Sequence, residues 1–155
     1  MTTSKMETYR GTVYPWHCDH VGHMNVMWYV GKFDEATWNF LARLGFTRRW
    51  LDEHGRGMVA LEQRLMYQRE LHAGDTVCVR TSLVEVRPKV LRFVHEMLDG
   101  ATGEVCAIAY LVGAHLDKAT RRTCAMPDDM QAKARSHVTP MALPWADLRA
   151  EAVAA

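Results

Sequence analysis

An α+β domain, with one long helix set against antiparallel strands, is the fold class this sequence predicts. Three observations predict it. Residues 26–44 carry apolar side chains at helical spacing. From residue 58 onward the period shortens from about 3.6 residues to about 2, the change from helix to strand. Turn signals at His72 to Asp75, Arg87 to Lys89 and Asp99 to Gly103 then cut that second part into four strands, with no helix between them. A helix first and strands afterwards is the α+β order, not the alternation of a parallel sheet.

Taken in order, residues 7–14 (ETYRGTVY) are rich in Thr, Tyr and Val and read as a first strand, which Pro15 ends. A polar loop follows. Asn25 is placed to cap a helix beginning at Val26. Val26, Tyr29, Val30, Phe33, Thr37, Phe40, Leu41 and Leu44 form its apolar stripe, and Gly45 supplies a left-handed stop. At about 1.5 Å per residue such a helix spans about 30 Å, the width of a small domain. Residues 46–57 connect, with a helical turn at 50–54. Residues 58–71 alternate, Val59, Leu61, Leu65 and Tyr67 on one side and Glu62, Arg64 and Gln68 on the other. Strands at 76–86 and 90–98 follow, the latter with Leu91, Phe93, His95 and Met97 on one face. Residues 104–116 are apolar on both faces, as an internal strand must be. Weak helical patterns at 128–136 and 145–153 lie in an Ala- and Pro-rich tail. The expectation is a single domain over 1–155, with its core at about 7–126 and a tail at 127–155, wrapped as a curved sheet of about five strands around the helix.

Composition excludes several function classes. The net charge is +1 with histidines neutral, so nothing favours general nucleic-acid binding. No apolar run approaches a membrane span, and MTTSKMETYRG lacks the apolar core of a signal peptide. Four widely spaced cysteines, with no CxxC, read as reduced thiols of a cytoplasmic protein. A central helix with little polar surface, under a sheet whose edges need cover, points to a homodimer or a dimer of dimers.

The chemistry concentrates between Pro15 and Gly45. His17, Asp19, His20, His23 and Asn25 crowd the loop just before the helix, where backbone N–H groups lack partners. Asp19 is the candidate nucleophile or general base, although an Asx turn is the plainer reading of the same residue. His17, His20 and His23 at HxxHxxH spacing offer a metal ligand set, but the spacing matches no common zinc template, so neither metal nor cofactor is expected. Cys18 beside His17 reads as packing, because neighbouring loop side chains usually point apart. Asp34 and Glu35, two acids in an apolar helix, suggest a buried hydrogen-bonding role.

The stretch VYPWHCDHVGHMNVMWYVGKFDEATWNFLARLG, Val13 to Gly45, resembles the signature of hotdog-fold acyl-CoA thioesterases of the 4-hydroxybenzoyl-CoA thioesterase type. LMYQRELHAGDTVCVRTSLVEV and the turn before VLRFVHEML fit the same family's strands, so the likeness covers roughly residues 7–130. HCDHVGHMNVMWYVGKFDEATW is also similar to the betainyl-CoA thioesterases that accompany carnitine dehydrogenase. The resemblance implies a dimer joined through the sheet, with active sites at the interface and acyl-CoA as substrate. It implies that Asp19 attacks the thioester carbonyl or activates water, and that amides from His23 through Asn25 to Val26 hold the oxyanion, with Gly22 letting substrate approach. Trp16, His17, Trp28 and Tyr29 are candidates for the acyl pocket. Trp38 and Trp50 belong to the same aromatic group, and two or three such rings could hold a quaternary ammonium at about 0.5–2 kcal/mol per contact. Glu62 is a second acid to watch. Arg87, Lys89 and Arg92, with Arg121 and Arg122, are candidates for the CoA phosphates. A hotdog hydratase or dehydratase, or a non-catalytic acyl- or metal-binding protein, is the alternative.

Overall fold

The computed structural model describes residues 5–143, so the helix expected at 145–153 lies outside the described residues. Strand β1 (Met6–Thr12) leads through a single 3-10 turn (Pro15–His17) to helix α1 (Val26–Arg43). Helix α2 (Arg48–His54) then precedes β2 (Arg56–Tyr67), β3 (Thr76–Val86), β4 (Val90–Asp99) and β5 (Val105–Asp117). A two-residue strand β6 (Arg122–Thr123) and helix α3 (Asp128–Arg135) follow. The strands pair antiparallel in the order β1-β3-β4-β5-β2, with β6 added to β5.

Helix α1 begins where its cap dictates. The Asn25 side-chain oxygen accepts the Met27 N–H at 3.0 Å, and Gly45, at φ 100°, closes the far end. Tyr29, Phe33, Ala36, Phe40 and Leu41 are buried against the sheet, where Phe40 meets Phe93 at a ring distance of 4.9 Å. Each buried aromatic of this kind contributes about 1.5–3 kcal/mol. The stripe differs from the expected one at its start, because Val26 is 53% exposed whereas Lys32 is buried. Spacing alone cannot say which of two adjacent stripes faces the sheet. Lys32 is tolerated inside because its ammonium donates to the Tyr9 hydroxyl at 3.2 Å and the Thr12 carbonyl at 3.3 Å. Asp34 and Glu35 are exposed, which corrects the buried role expected of them.

The sheet has two unlike faces. Leu91, Phe93, His95 and Met97 belong to the main core beneath α1, with His95 fully buried. On the other face Val94, Ile108, Tyr110 and Val112 form a second cluster, against which Met141 and Leu143 pack. The chain reaches that face by pairing Val138 with Leu83 and donating the Thr139 N–H to the Leu83 carbonyl at 2.8 Å. Strand β5 is buried from Cys106 through Leu116, as its two-sided apolar pattern requires.

Strand β2 departs from its expected alternation. A bulge between Ala60 and Glu62 resets the parity, since one extra residue turns every later side chain to the other face. Glu62 and Arg64 therefore stand opposite Val112 and Tyr110 on the outer face, while Val59 and Leu61 are 37% and 59% exposed. The strand also ends at Tyr67 instead of 71, and Leu71 turns inward to accept the Met24 N–H at 2.7 Å. α2 is longer than the single turn expected, because the Thr47 hydroxyl caps it at the Trp50 N–H, 3.1 Å away. A long helix cradled by a curled antiparallel sheet is the hotdog arrangement that the resemblance implied.

Candidate active site

The loop between β1 and α1 is built around His17, Asp19 and Asn25. His17 sits at the end of the 3-10 turn, and its carbonyl accepts the Asn25 N–H at 2.9 Å. Asp19 closes a tight turn, with the Gly22 N–H on its carbonyl at 3.1 Å and the Val21 N–H on its Oδ1 at 2.8 Å. Gly22 takes φ 97°, a left-handed conformation that side chains resist. The Asn25 amide then does two jobs. Its oxygen caps α1, and its Nδ2 donates to Asp19 Oδ2 at 2.7 Å. The Asn25 bond first and the Val21 bond second hold the Asp19 carboxyl below its ordinary pKa, outweighing the opposing effect of burial. The carboxylate is thus fixed in place, ionised and partly open to solvent. The Asx turn and a chemical role coexist in one residue.

The expected row of free amides is thinner than the sequence suggested. The Met24 N–H goes to the Leu71 carbonyl and the Asn25 N–H to that of His17, so neither is available. Among the described residues the Val26 and His23 N–H groups have no partner within the chain. Val26 is the first residue of α1, where the helix dipole favours a developing negative charge.

The loop histidines diverge. His17 is buried, its Nδ1 accepts the Tyr14 N–H at 3.0 Å, and burial followed by the Lys32 charge lowers its pKa. His20 is exposed. His23 turns the other way, with Nε2 at 3.7 Å from Glu70. Among the described residues no group of three or more His, Cys, Asp or Glu is placed to hold a metal ion.

Two cavities flank the loop. One is lined by His23, Val26, Tyr29, Tyr67 and Glu70, with Tyr29 donating to the Arg69 carbonyl at 3.2 Å. Burial pushes the Tyr29 hydroxyl up to about 12, so it stays protonated there. The other, a cleft of about 620 Å³, lies between β1 and α1 and is lined by Tyr14, Trp16, His17, Trp28, Lys32 and Glu35, among others. Trp16 stacks on Tyr14 at 4.5 Å, and Trp28 lies 4.5 Å from the His17 ring. The candidate pocket residues are therefore split, Trp16, His17 and Trp28 on one side and Tyr29 on the other. Trp38 and Trp50 join neither cavity; Trp50 packs on Phe46 and His54.

Other candidates lie away from the loop in one chain. Glu62 and Arg92 are on the outer face, where Arg92 pairs with Glu85 at 2.8 Å and bonds the Tyr110 hydroxyl at 2.6 Å. Arg87 and Lys89 sit at the β3–β4 hairpin, whereas the Asp19 loop adjoins the opposite end of β3 through Val13 and Asp75. An eleven-residue strand separates the two ends, about 30 Å or more if straight. Sequence order could not reveal that distance. Lys32 is the residue the sequence reading missed. A solitary lysine inside an apolar helical run was the signal available.

The thioesterase-like superfamily model matches residues 13–134. A betainyl-CoA thioesterase of Pseudomonas aeruginosa is 28% identical over 111 residues, 72% of this chain and 70% of that protein. Among solved structures, a Staphylococcus aureus protein in complex with CoA superposes with a TM-score of 0.81 at 19% identity, over 90% of both chains. A 1,4-dihydroxy-2-naphthoyl-CoA thioesterase from Synechocystis gives 0.72 at 15% identity, over 82% of this chain and 93% of that one. At such identities the structural likeness establishes the fold.

Proposed function

This chain belongs to the thioesterase-like superfamily, and on that premise we propose that it is an acyl-CoA thioesterase, releasing a small free acid and CoA. The observation that carries the reading is Asp19, held as an anion by Asn25 and Val21 at the mouth of α1, where the Val26 N–H has no partner among the described residues. Asp19 either attacks the thioester carbonyl, expelling the CoA thiolate and leaving a mixed anhydride for water to cleave, or draws the proton from an attacking water. In both routes the oxyanion is stabilised by the Val26 amide, with the His23 amide as second donor, a contribution of about 10²–10³ in rate per donor. The test is thiol release from acyl-CoA, followed with a thiol-reactive dye; no release from any acyl-CoA would rule the reading out.

The finer reading is a betainyl group, as arises in carnitine breakdown. It is supported by the name of the P. aeruginosa relative and by Tyr14, Trp16 and Trp28 standing with Glu35 in one cleft beside the loop. A panel of betainyl-, acetyl-, butyryl- and aryl-CoA tests it, and equal or better rates with uncharged acyl groups would sink it. The active unit is a homodimer joined along β2. Among the described residues that strand pairs only with β5, and it carries the exposed Val59, Leu61 and Tyr67. Four free cysteines fit a reducing cytoplasm, and among the described residues no helix is long and apolar enough to cross a membrane.

A further inference from the structure

We propose that the His23 side chain, backed by Glu70, is the base that activates the hydrolytic water, which commits Asp19 to the role of nucleophile; this rests on the thioesterase reading. Asp19 cannot serve both steps. Once its carboxylate has attacked the thioester it is tied up in the mixed anhydride and takes no proton from water. The second step calls for another base. The cavity of about 270 Å³ on the Val26 side of the loop holds one, with His23, Val26, Tyr29, Tyr67, Arg69 and Glu70 in its lining. Tyr29 stays protonated, burial raises the pKa of Tyr67 as well, and Arg69 pairs with Glu104 at 3.0 Å. That leaves His23 and Glu70 as the lining groups able to take a proton.

The surroundings of His23 set its tautomer. A carbonyl only accepts, so Nδ1, 3.3 Å from the Met24 carbonyl, carries the proton of the neutral ring and donates it. Nε2 therefore bears the free lone pair, and among the described residues it makes no hydrogen bond. Glu70 Oε1 stands 3.7 Å from Nε2, too far for a direct bond but close enough to stabilise the imidazolium that proton transfer creates. The Glu70 side chain is 64% exposed, and its backbone neighbours hold it in place. The Arg69 carbonyl accepts the Tyr29 hydroxyl at 3.2 Å, and the Leu71 carbonyl accepts the Met24 N–H at 2.7 Å. The other loop histidines do not reach this cavity: His17 lines the opposite cleft, and His20 lines neither.

The two steps balance as follows. Asp19 adds to the thioester carbonyl, the C–S bond breaks and CoA leaves as thiolate. Water then adds to the acyl carbon of the anhydride while one of its protons passes to His23 Nε2. The anhydride C–O bond breaks, returning the Asp19 carboxylate and releasing the free acid, and the imidazolium gives its proton to solvent.

Rapid mixing of the full chain with a thiol-reactive dye and the best substrate among betainyl-, acetyl-, butyryl- and aryl-CoA tests the step. His23→Asn keeps a donor for the Met24 carbonyl and removes Nε2. It should release one thiol per active site in a burst and then turn over about 10²-fold more slowly than the wild type. Hydroxylamine opens an anhydride without help from a base, so it should speed the slow phase about tenfold over the enzyme-free reaction and yield the acyl hydroxamate. Glu70→Gln, a change in a positioning residue, should keep the burst and slow the second phase about tenfold. A His23→Asn chain with wild-type turnover, one whose first thiol is slow with no burst, or a slow phase that hydroxylamine leaves unchanged overturns the proposal. If circular dichroism shows His23→Asn unfolded, exposed Glu70 carries the test, and loss of the burst in Glu70→Gln overturns it. A wild-type chain that releases no thiol from any of the four removes the thioesterase reading and this step with it; wild-type release with an unimpaired His23→Asn removes this step alone.

Discussion

The Asp19 side chain is favoured as an anion, since both groups that hydrogen-bond to its carboxylate are donors. Asp19→Asn should leave the fold intact by circular dichroism, with a small loss in the thermal melt because the new NH2 cannot accept from Asn25 or Val21, while lowering kcat/KM by about 10²–10⁴. Its depressed pKa means that the carboxylate is fully ionised above the ordinary value of 3.8 and is lost only as pH falls through the lower, folded-state value. Asn25→Ala removes the larger cause, so the acid limb of the pH–rate profile should move upward; losing the helix cap should also cost about 1 kcal/mol in a urea melt. His95 has the same sense with the opposite charge type. It lies between the Thr37 and Thr81 hydroxyls at 2.8 and 2.7 Å, fully buried, and burial lowers its pKa from 6.5 to about 3. Below pH 6.5 the unfolded chain takes up a proton that the folded chain refuses. Stability should therefore fall by about 1.4 kcal/mol per pH unit down to about 3, and His95→Gln should flatten that slope.

At the scale of elements, β2 and α1 show different kinds of legibility. The cap at Asn25, the stop at Gly45 and the turns between strands are local chemistry, and each stands where the sequence placed it. The bulge at Leu61 is not local. It depends on how β2 meets β5, and no alternation count anticipates an extra residue. It leaves Leu61 exposed beside a strand edge that has no partner among the described residues, so Leu61→Asp should convert the proposed dimer to a monomer in light scattering while leaving the monomer's secondary structure intact. A Leu61→Asp protein that remains dimeric would move the interface elsewhere.

In the whole molecule, the sheet has a core on one side and a smaller apolar cluster on the other, so the chain after α3 has packing to do. Met141 and Leu143 lie on the outer cluster, held there by the Val138 and Thr139 pairing with Leu83. Replacing both by Ser should destabilise by about 1–3 kcal/mol in urea unfolding, without changing kcat, because that face is turned away from the Asp19 loop. A loss of turnover at unchanged stability would contradict the separation of the two faces.

By itself the sequence determined what is written in nearest neighbours. Periodicity gives the helix and the strands, Asn25 and Gly45 bound the helix, and Asp19 stands out as a carboxylate set before unpaired amides. Tertiary structure decided everything that depends on which side a residue faces or how far apart two ends lie. It buried Lys32 and exposed Asp34 and Glu35, put Glu62 and Arg92 on the outer face, and carried Arg87 and Lys89 to the far end of β3. Within the row His23 to Val26 it also left the Val26 and His23 amides without a partner among the described residues, by giving those of Met24 and Asn25 to Leu71 and His17. The reason is physical. A side chain's type and spacing are properties of the chain, but the partner that satisfies a donor, or the bulge that flips a strand, exists only after distant segments meet.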